Sequence, residues 1–273
     1  MHPFEILKRT PKTNCGKCSY PTCLAFAAAV AKTGVDARLC PFIDLNGIEL
    51  AAPLVDNLEG ISHQQDLALI EHLKEKIAPL DLTAIAAPLG ATIIDTAPDV
   101  IQFTYLGRPI LFSKDEIKMA NEPLVDPRDQ ILLYNYISSC GGRKPSNDWI
   151  GMESLPNSIS KIKTLARYCE DKLAPCLAGL NPQEIKAIAE QLNSTIETDS
   201  SSDLTMTVPV LPMIPERIIF WGEEPEDGFA AKVKVLFDRN VLDFLDLESL
   251  VFTAERMAEY IVKLSKSPTG TST

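Results

Sequence analysis

A chain of 273 residues is long enough for one or two domains with substantial cores, and its 45% hydrophobic and 23% charged content is that of an ordinary globular protein. The formal net charge of −11 leaves no basic excess to neutralise phosphates, which excludes a nucleic-acid scaffold. The longest apolar run, Leu24 to Ala31, stops at Lys32, far short of the roughly 20 residues of a membrane span.

At the N-terminus, Lys8, Arg9 and Lys12 are followed at once by cysteines rather than by the apolar stretch of a secretory signal, so the sequence predicts a cytoplasmic protein. In that reducing compartment clustered cysteines read as metal ligands before they read as disulfides. Four of the seven cysteines lie within the first 40 residues. Residues 1–60 hold six basic and six acidic side chains, so the whole −11 falls on the rest of the chain. Both skews predict two modules, residues 1–60 and residues 65–266. Their expected seam is Asp56 to Gln65, where Asp, Asn, Gly and Ser interrupt the apolar pattern.

The cysteine spacing is C-x2-C-x4-C-x16-C, formed by Cys15, Cys18, Cys23 and Cys40. Three thiolates close in sequence can wrap one metal centre while the fourth returns from further along, and four match the ligand count of a [4Fe–4S] cubane. Gly16 offers a small residue with free φ where the loop folds around an inorganic core. Cys23 opens the helix-forming run to Ala31, with Pro21 in the first turn and Ser19 as the expected N-cap. That helix would aim the positive end of its dipole at an anionic cluster, a placement worth about 0.3–1 kcal/mol. Pro41 after Cys40 fixes an extended exit. Two other readings compete. Zinc also takes four thiolates but usually draws on two paired knuckles, and no second C-x2-C is present. A redox dithiol at Cys15 and Cys18 would leave Cys23 and Cys40 idle.

The run Cys15-Gly16-Lys17-Cys18-Ser19-Tyr20-Pro21-Thr22-Cys23-Leu24-Ala25-Phe26-Ala27, completed by Cys40-Pro41, resembles the N-terminal four-cysteine domain of the corrinoid iron–sulfur protein large subunit. Related domains occur in the cluster-bearing subunit of ion-pumping NAD–ferredoxin oxidoreductases. The resemblance implies that Cys15, Cys18, Cys23 and Cys40 ligate one low-potential [4Fe–4S] centre. It covers about the first 45 residues. Those families continue into a barrel and a cobalamin-binding domain, for which this chain reads as too short.

Beyond residue 65 the pattern predicts mixed α+β structure. His63 to Ala78 has helical periodicity through Leu67, Ile70, Leu73 and Ile77. Ala91–Asp95, Val100–Tyr105 and Arg108–Phe112 read as strands, with Leu106-Gly107 turning between the last two. Asp126-Pro127 starts a helix that ends before Gly141-Gly142. Ile159–Leu173 and Pro182–Leu192 read as helices, then come strands at Leu204–Val210, Arg217–Phe220 and Ala231–Leu236, and a closing helix, Leu247–Leu264. One internal echo stands out. Ala84-Ile85-Ala86, Leu89 and Thr92-Ile93 recur at the same spacing as Ala187-Ile188-Ala189, Leu192 and Thr195-Ile196. Coincidence between two amphipathic helices is one explanation, and a duplicated α–β–β unit is the other.

This second module resembles an uncharacterised domain family of anaerobes that is frequently attached to the same cluster domain. The stretches that carry it are Leu132-Leu133-Tyr134-Asn135-Tyr136-Ile137, Asp148-Trp149-Ile150 with Glu153-Ser154-Leu155-Pro156, and Lys234-Val235-Leu236-Phe237-Asp238. No activity transfers with that resemblance.

Other candidates are weaker. Cys140, Cys169 and Cys176 are one short of a second cubane, and buried free cysteine commonly acts as a small hydrophobe. His2, His63 and His72 lack a metal-binding pattern, and the last two read as solvated helix residues. Trp149 and Trp221 read as packing, and Trp221 to Gly228 as an acidic hairpin loop. No nucleophile–base pattern, phosphate loop or dinucleotide-binding glycine motif occurs. The expected function is electron transfer through a [4Fe–4S] cluster to or from a docked redox protein, a corrinoid or methyl-transfer protein being the candidate. A redox enzyme or corrinoid accessory protein with a pocket in the second module is the first alternative. A cluster-gated regulator or assembly factor is the second.

Overall fold

A computed structural model describes residues 3–18, 20, 22–33, 35–45, 55–197 and 201–266. The chain divides into two compact units, Met1–Ala68 and Leu69–Thr273. In the first, α1 (Pro3–Lys8) packs against α2 (Cys23–Thr33), and Ile6, Phe26 and Ala27 are buried. A 3-10 turn, Ala37–Leu39, is capped by Asp36 and leads to Cys40. Then α3 runs from Val55 to Ile77, and the unit boundary falls inside it. The stretch Asp56 to Gln65, expected as a seam, is therefore helical. Single Asp, Asn, Ser and Gly residues each cost a helix only about 0.5–1 kcal/mol, too little to break one of this length.

The second unit holds two five-stranded antiparallel sheets beside helices, as the α+β reading expected. After α4 (Leu82–Ala86) come β1 (Thr92–Ile94), β2 (Ala97–Tyr105), β3 (Arg108–Phe112), β4 (Ile117–Met119) and β5 (Glu122–Pro123), paired in sequence order. Next come α5 (Pro127–Ser138), capped by Asp126, and the short β6 (Trp149–Gly151). Ile159 to Leu173, which reads from sequence as one helix, is α6 (Ile159–Leu165), a π-turn over Ala166–Glu170, and then α7 (Asp171–Ala178) with Pro175 inside it. The second sheet follows α8 (Pro182–Gln191). It comprises β7 (Thr195–Glu197), β8 (Leu204–Leu211), β9 (Ile214–Trp221) and β10 (Lys232–Asp238), with β6 on the far edge of β10. α9 (Leu247–Lys266) closes the chain and buries the face carrying Leu250, Ala254, Met257, Ala258 and Ile261. No helix among the described residues is long and apolar enough to cross a membrane.

The internal echo is a structural repeat. In both copies a helix ends on a left-handed residue, Gly90 at φ 66° and Asn193 at φ 54°, before an edge strand. The same two capping bonds recur 103 positions apart. Gly90 N–H donates to Ala87 O at 3.0 Å and Asn193 N–H to Glu190 O at 3.2 Å, while Ala91 N–H to Ala86 O and Ser194 N–H to Ala189 O are both 2.8 Å. Each copy then runs through an antiparallel meander into a helix, α5 in one and α9 in the other. The copies also clasp each other. A Cβ at Gly90 would lie 2.7 Å from Pro212 Cβ at the β8–β9 turn, and a Cβ at Gly107, in the β2–β3 turn, would lie 2.1 Å from the Gln191 carbonyl at the end of α8.

That clasp gives a test. Gly107→Ala adds backbone strain at φ 74° and a clash with main chain, so it should cost about 2–4 kcal/mol in urea unfolding. Gly228 has the same φ of 74° but open space around it, so Gly228→Ala should cost only about 1 kcal/mol. Equal losses at the two positions would show that strain alone, and not the clasp, matters.

Long-range polar contacts tie α5, β2 and α9 together. Asp129, 3% exposed, accepts from Tyr105 Oη at 2.8 Å and from Arg256 Nε and Nη2, each at 2.7 Å. Arg256 also donates to Asp126 at 3.0 Å and to Glu259 at 2.7 Å. Burial works against the Arg256 charge, but the paired Asp129 carboxylate prevails and raises its pKa.

Candidate metal centre

The four N-terminal cysteines sit in unlike surroundings. Cys15 is exposed, whereas Cys18, Cys23 and Cys40 are buried. Cys18 and Cys40 share a small apolar cluster with Phe26, against which Tyr20, Val30, Val35 and Ile43 pack. Tyr20 meets Phe26 edge-on, with ring centroids 5.6 Å apart. This is a second core, separate from the one in the larger unit.

The loop before Cys18 is shaped by left-handed residues at alternating positions, Lys12 (φ 55°), Asn14 (φ 49°) and Gly16 (φ 70°). Nothing lies within 4 Å of where a Gly16 Cβ would be, so the loop leaves open space beside Cys15. Asn14 Oδ1 accepts the Cys23 amide at 2.8 Å and so ties the loop to the start of α2. The helix is capped by Thr22, whose Oγ1 accepts from Ala25 N–H at 3.0 Å and whose carbonyl accepts from Phe26 N–H at 3.0 Å. Ser19, the expected cap, and Pro21 lie outside the described residues, as does His2. The first-turn amides of Cys23 and Ala25 are thus engaged by side-chain oxygens.

The Lys17 amide, donating to the Cys15 sulfur, is the main influence holding that thiol below its ordinary range; desolvation, the next largest, opposes it, and the Thr13 hydroxyl, the Cys15 amide and the Lys17 charge lower it further. Cys40 has extended φ and ψ of −87° and 110°, the exit its following proline requires. Asp44 N–H donates to Arg9 O at 3.0 Å and pins the segment after Cys40 to the end of α1. Lys17 Nζ lies 5.1 Å from the Phe42 ring centroid. Among the described residues, no three His, Cys, Asp or Glu side chains converge on one ion-sized position. The donor chemistry fits an iron–sulfur cluster well: four thiols, three of them buried and two of those in an apolar nest, with N–H donors on the fourth.

The remaining candidates behave as packing. Cys169 is fully buried, and burial is the main influence pushing its thiol well up. His72 is exposed. Arg217 lies 4.5 Å from the Trp149 ring centroid, and Trp221 Nε1 donates to Ser201 O at 2.7 Å. Trp221 to Gly228 forms an exposed turn closed between Glu224 and Phe229.

Comparisons with known proteins match two separate regions of the chain. An Fe-S cluster family profile matches residues 11–42, and the profile of a domain of unknown function, DUF3786, matches residues 81–260. The corrinoid/iron-sulfur protein large subunit of Moorella thermoacetica is 49% identical over 40 residues, 15% of this chain and 9% of that subunit. The gamma subunit of the acetyl-CoA decarbonylase/synthase complex of Methanocaldococcus jannaschii is 25% identical over 202 residues, 70% of this chain and 36% of that subunit. Gamma subunit 1 of the same complex in Methanosarcina thermophila is 22% identical over 271 residues, covering 96% of this chain and 49% of the subunit. The chain thus spans half or less of the length of these relatives. The likeness to the gamma subunits runs well past residue 45, further than the cysteine motif alone indicated. No solved structure gives a significant match.

Proposed function

This chain belongs to the DUF3786 family and carries an Fe-S cluster domain ahead of that region, and from that premise we propose that it is a cytoplasmic electron-transfer protein with one [4Fe–4S] cluster. Cys15, Cys18, Cys23 and Cys40 are its ligands in this reading. The observation that carries it is the asymmetry of the donor set, with Cys18, Cys23 and Cys40 buried and Cys15 at the surface. Bound there, the cluster supplies one-electron transfer. The apolar walls of Phe26, Val30, Val35 and Ile43 keep water from the buried side. The Lys17 amide orients and stabilises the Cys15 thiolate, and Asn14 holds the loop on α2. A redox protein docks on the Cys15 side, where the path to the surface is shortest. The gamma subunits are components of an acetyl-CoA decarbonylase/synthase complex, which favours a corrinoid or methyl-transfer protein as the partner. We place the cluster domain at residues 1–60 and the partner-docking domain at 65–266.

After anaerobic isolation the protein should contain about four iron and four acid-labile sulfide per chain and absorb at about 400 nm. It should be reduced and reoxidised reversibly, with an EPR signal in the reduced state. Stoichiometric zinc without labile sulfide would overturn the reading. Iron–sulfur content with turnover of a small molecule would replace electron transfer by the enzyme alternative.

A further inference from the structure

We infer that the cleft between the β2–β3 turn and α9 binds a small oxyanion, a carboxylate or phosphate group, through Arg108 and Lys263. The cleft is a cavity of about 230 Å³ lined by Leu106, Arg108, Arg256, Glu259, Tyr260 and Lys263. It lies wholly within the second unit and is independent of the cysteine site. Its chemistry is set by one cation. The Arg108 guanidinium lies 4.3 Å from the Tyr260 ring centroid and 5.6 Å from that of Tyr105, and among the described residues no carboxylate pairs with it. Its Nε is buried and has no hydrogen-bond partner.

In a chain with 37 acidic and 26 basic residues, a partly buried arginine without an acid is out of keeping with the rest of the surface. The acids around Arg256, which lines the same cavity, are already committed. Asp126, Asp129 and Glu259 all bond Arg256, so Arg256 is neutralised and those carboxylates do not turn to Arg108. Lys263 borders the same cavity, whose lining holds three cationic side chains, Arg108, Arg256 and Lys263, and one acid, Glu259. A buried guanidinium N–H without a partner costs stability until an acceptor meets it, and the planar fork of arginine matches a carboxylate or phosphate.

The site is also held rigid. Leu106 (φ 48°) and Gly107 (φ 74°) form the two left-handed positions of a tight hairpin turn, normally an Asn-Gly task. Leu106 instead buries its side chain in the core and donates its amide to Val210 O at 3.0 Å. Gly107 is wedged against the end of α8. The turn therefore fixes the backbone from which Arg108 projects, and the two tyrosines fix its plane. The volume admits a phosphate or a short carboxylic acid.

The test is calorimetric titration of the full anaerobic protein with inorganic phosphate and, separately, with acetate, chloride holding the ionic strength constant. One of the two probes should bind saturably at one site per chain. Which probe binds distinguishes a phosphate ester from a carboxylate as the natural group. Arg108→Gln should weaken that binding at least tenfold, and Lys263→Met, at an exposed position, several-fold. Should Arg108→Gln fail to fold, the Lys263→Met titration decides. Absence of saturable binding by either probe, or undiminished binding in these variants, overturns the proposal.

Discussion

Alanine at any one of Cys15, Cys18, Cys23 or Cys40 is expected to strip iron and labile sulfide from the protein, whereas alanine at Cys140, Cys169 or Cys176 leaves both in place. A cubane held by four thiolates loses a full iron ligand with each substitution, and neither Asn14 nor Thr22 can replace it, since both oxygens already hold amides of α2. The other three cysteines have local duties. Cys140 adopts φ 60°, with its Sγ 3.7 Å from Ser138 O, and Cys176 Sγ lies 3.4 Å from Ser265 Oγ. Cys169 is fully buried. Iron and sulfide assays across the seven variants check this, and an iron deficit in any of the last three would change the ligand set. In the proposed two-domain arrangement, loss of the cluster should also unfold the first unit. Its core is only a few side chains around Phe26, so metal binding must supply much of its folding free energy. The larger unit has its own continuous core from Ile70 to Ile261 and should keep its cooperative transition. A single unfolding step shared by both would sink the two-domain proposal.

The cysteine spacing was legible because ligand number and order are written locally in the chain. What the sequence hides are the supports. Asn14 reads as a loop residue next to a cysteine, and its bond to Cys23 depends on a left-handed backbone that nothing in the pattern announces. The N-cap moved from Ser19 to Thr22 because cap choice turns on one backbone dihedral, and both residues suit the role. The duplication was readable from six matched positions, since helix-end chemistry repeats with its side chains. The clasp between the copies was not, because Gly107 meets Gln191 only after both sheets have formed. For the same reason Arg256 gave no signal, its partners Asp126 and Asp129 lying 130 and 127 positions away. Arg108 reads as the first residue of a strand. Its significance comes from the two aromatic faces and the acid it lacks.

Glu216 should make the protein less stable as the pH rises from about 5 to 8, and Glu216→Gln should remove that slope. On β9 buried and half-buried residues alternate, and Glu216 falls on the buried side between Ile214 and Ile218. Burial pushes its carboxyl up to about 8, with the Thr253 hydrogen bond opposing only in part. The hydrogen-bond count agrees. Thr253 Oγ1 is 2.6 Å from Leu250 O and 2.5 Å from Glu216 Oε1. Thr253 has one proton to offer to two acceptors, Leu250 O and Glu216 Oε1, so it gives the buried carboxyl at most a shared hydrogen bond. Its other oxygen, Oε2, is buried without a partner, tolerable for a neutral acid and costly for a carboxylate. The unfolded chain releases this proton near pH 4.3 and the folded one near 8, so in between the native state binds more protons. Stability from this group is complete below the unfolded value and falls by about 1.4 kcal/mol per pH unit until the folded value is passed. Glutamine is close to the acid in shape, its carbonyl oxygen can accept from Thr253 as the carboxyl does, and it carries no titrating proton. Urea midpoints of wild type and variant, compared at each pH from 5 to 9, cancel the contribution of other groups such as Glu170, whose pKa burial also raises. Parallel curves would show that Glu216 is ionised in the fold and that the proton assigned to it lies elsewhere.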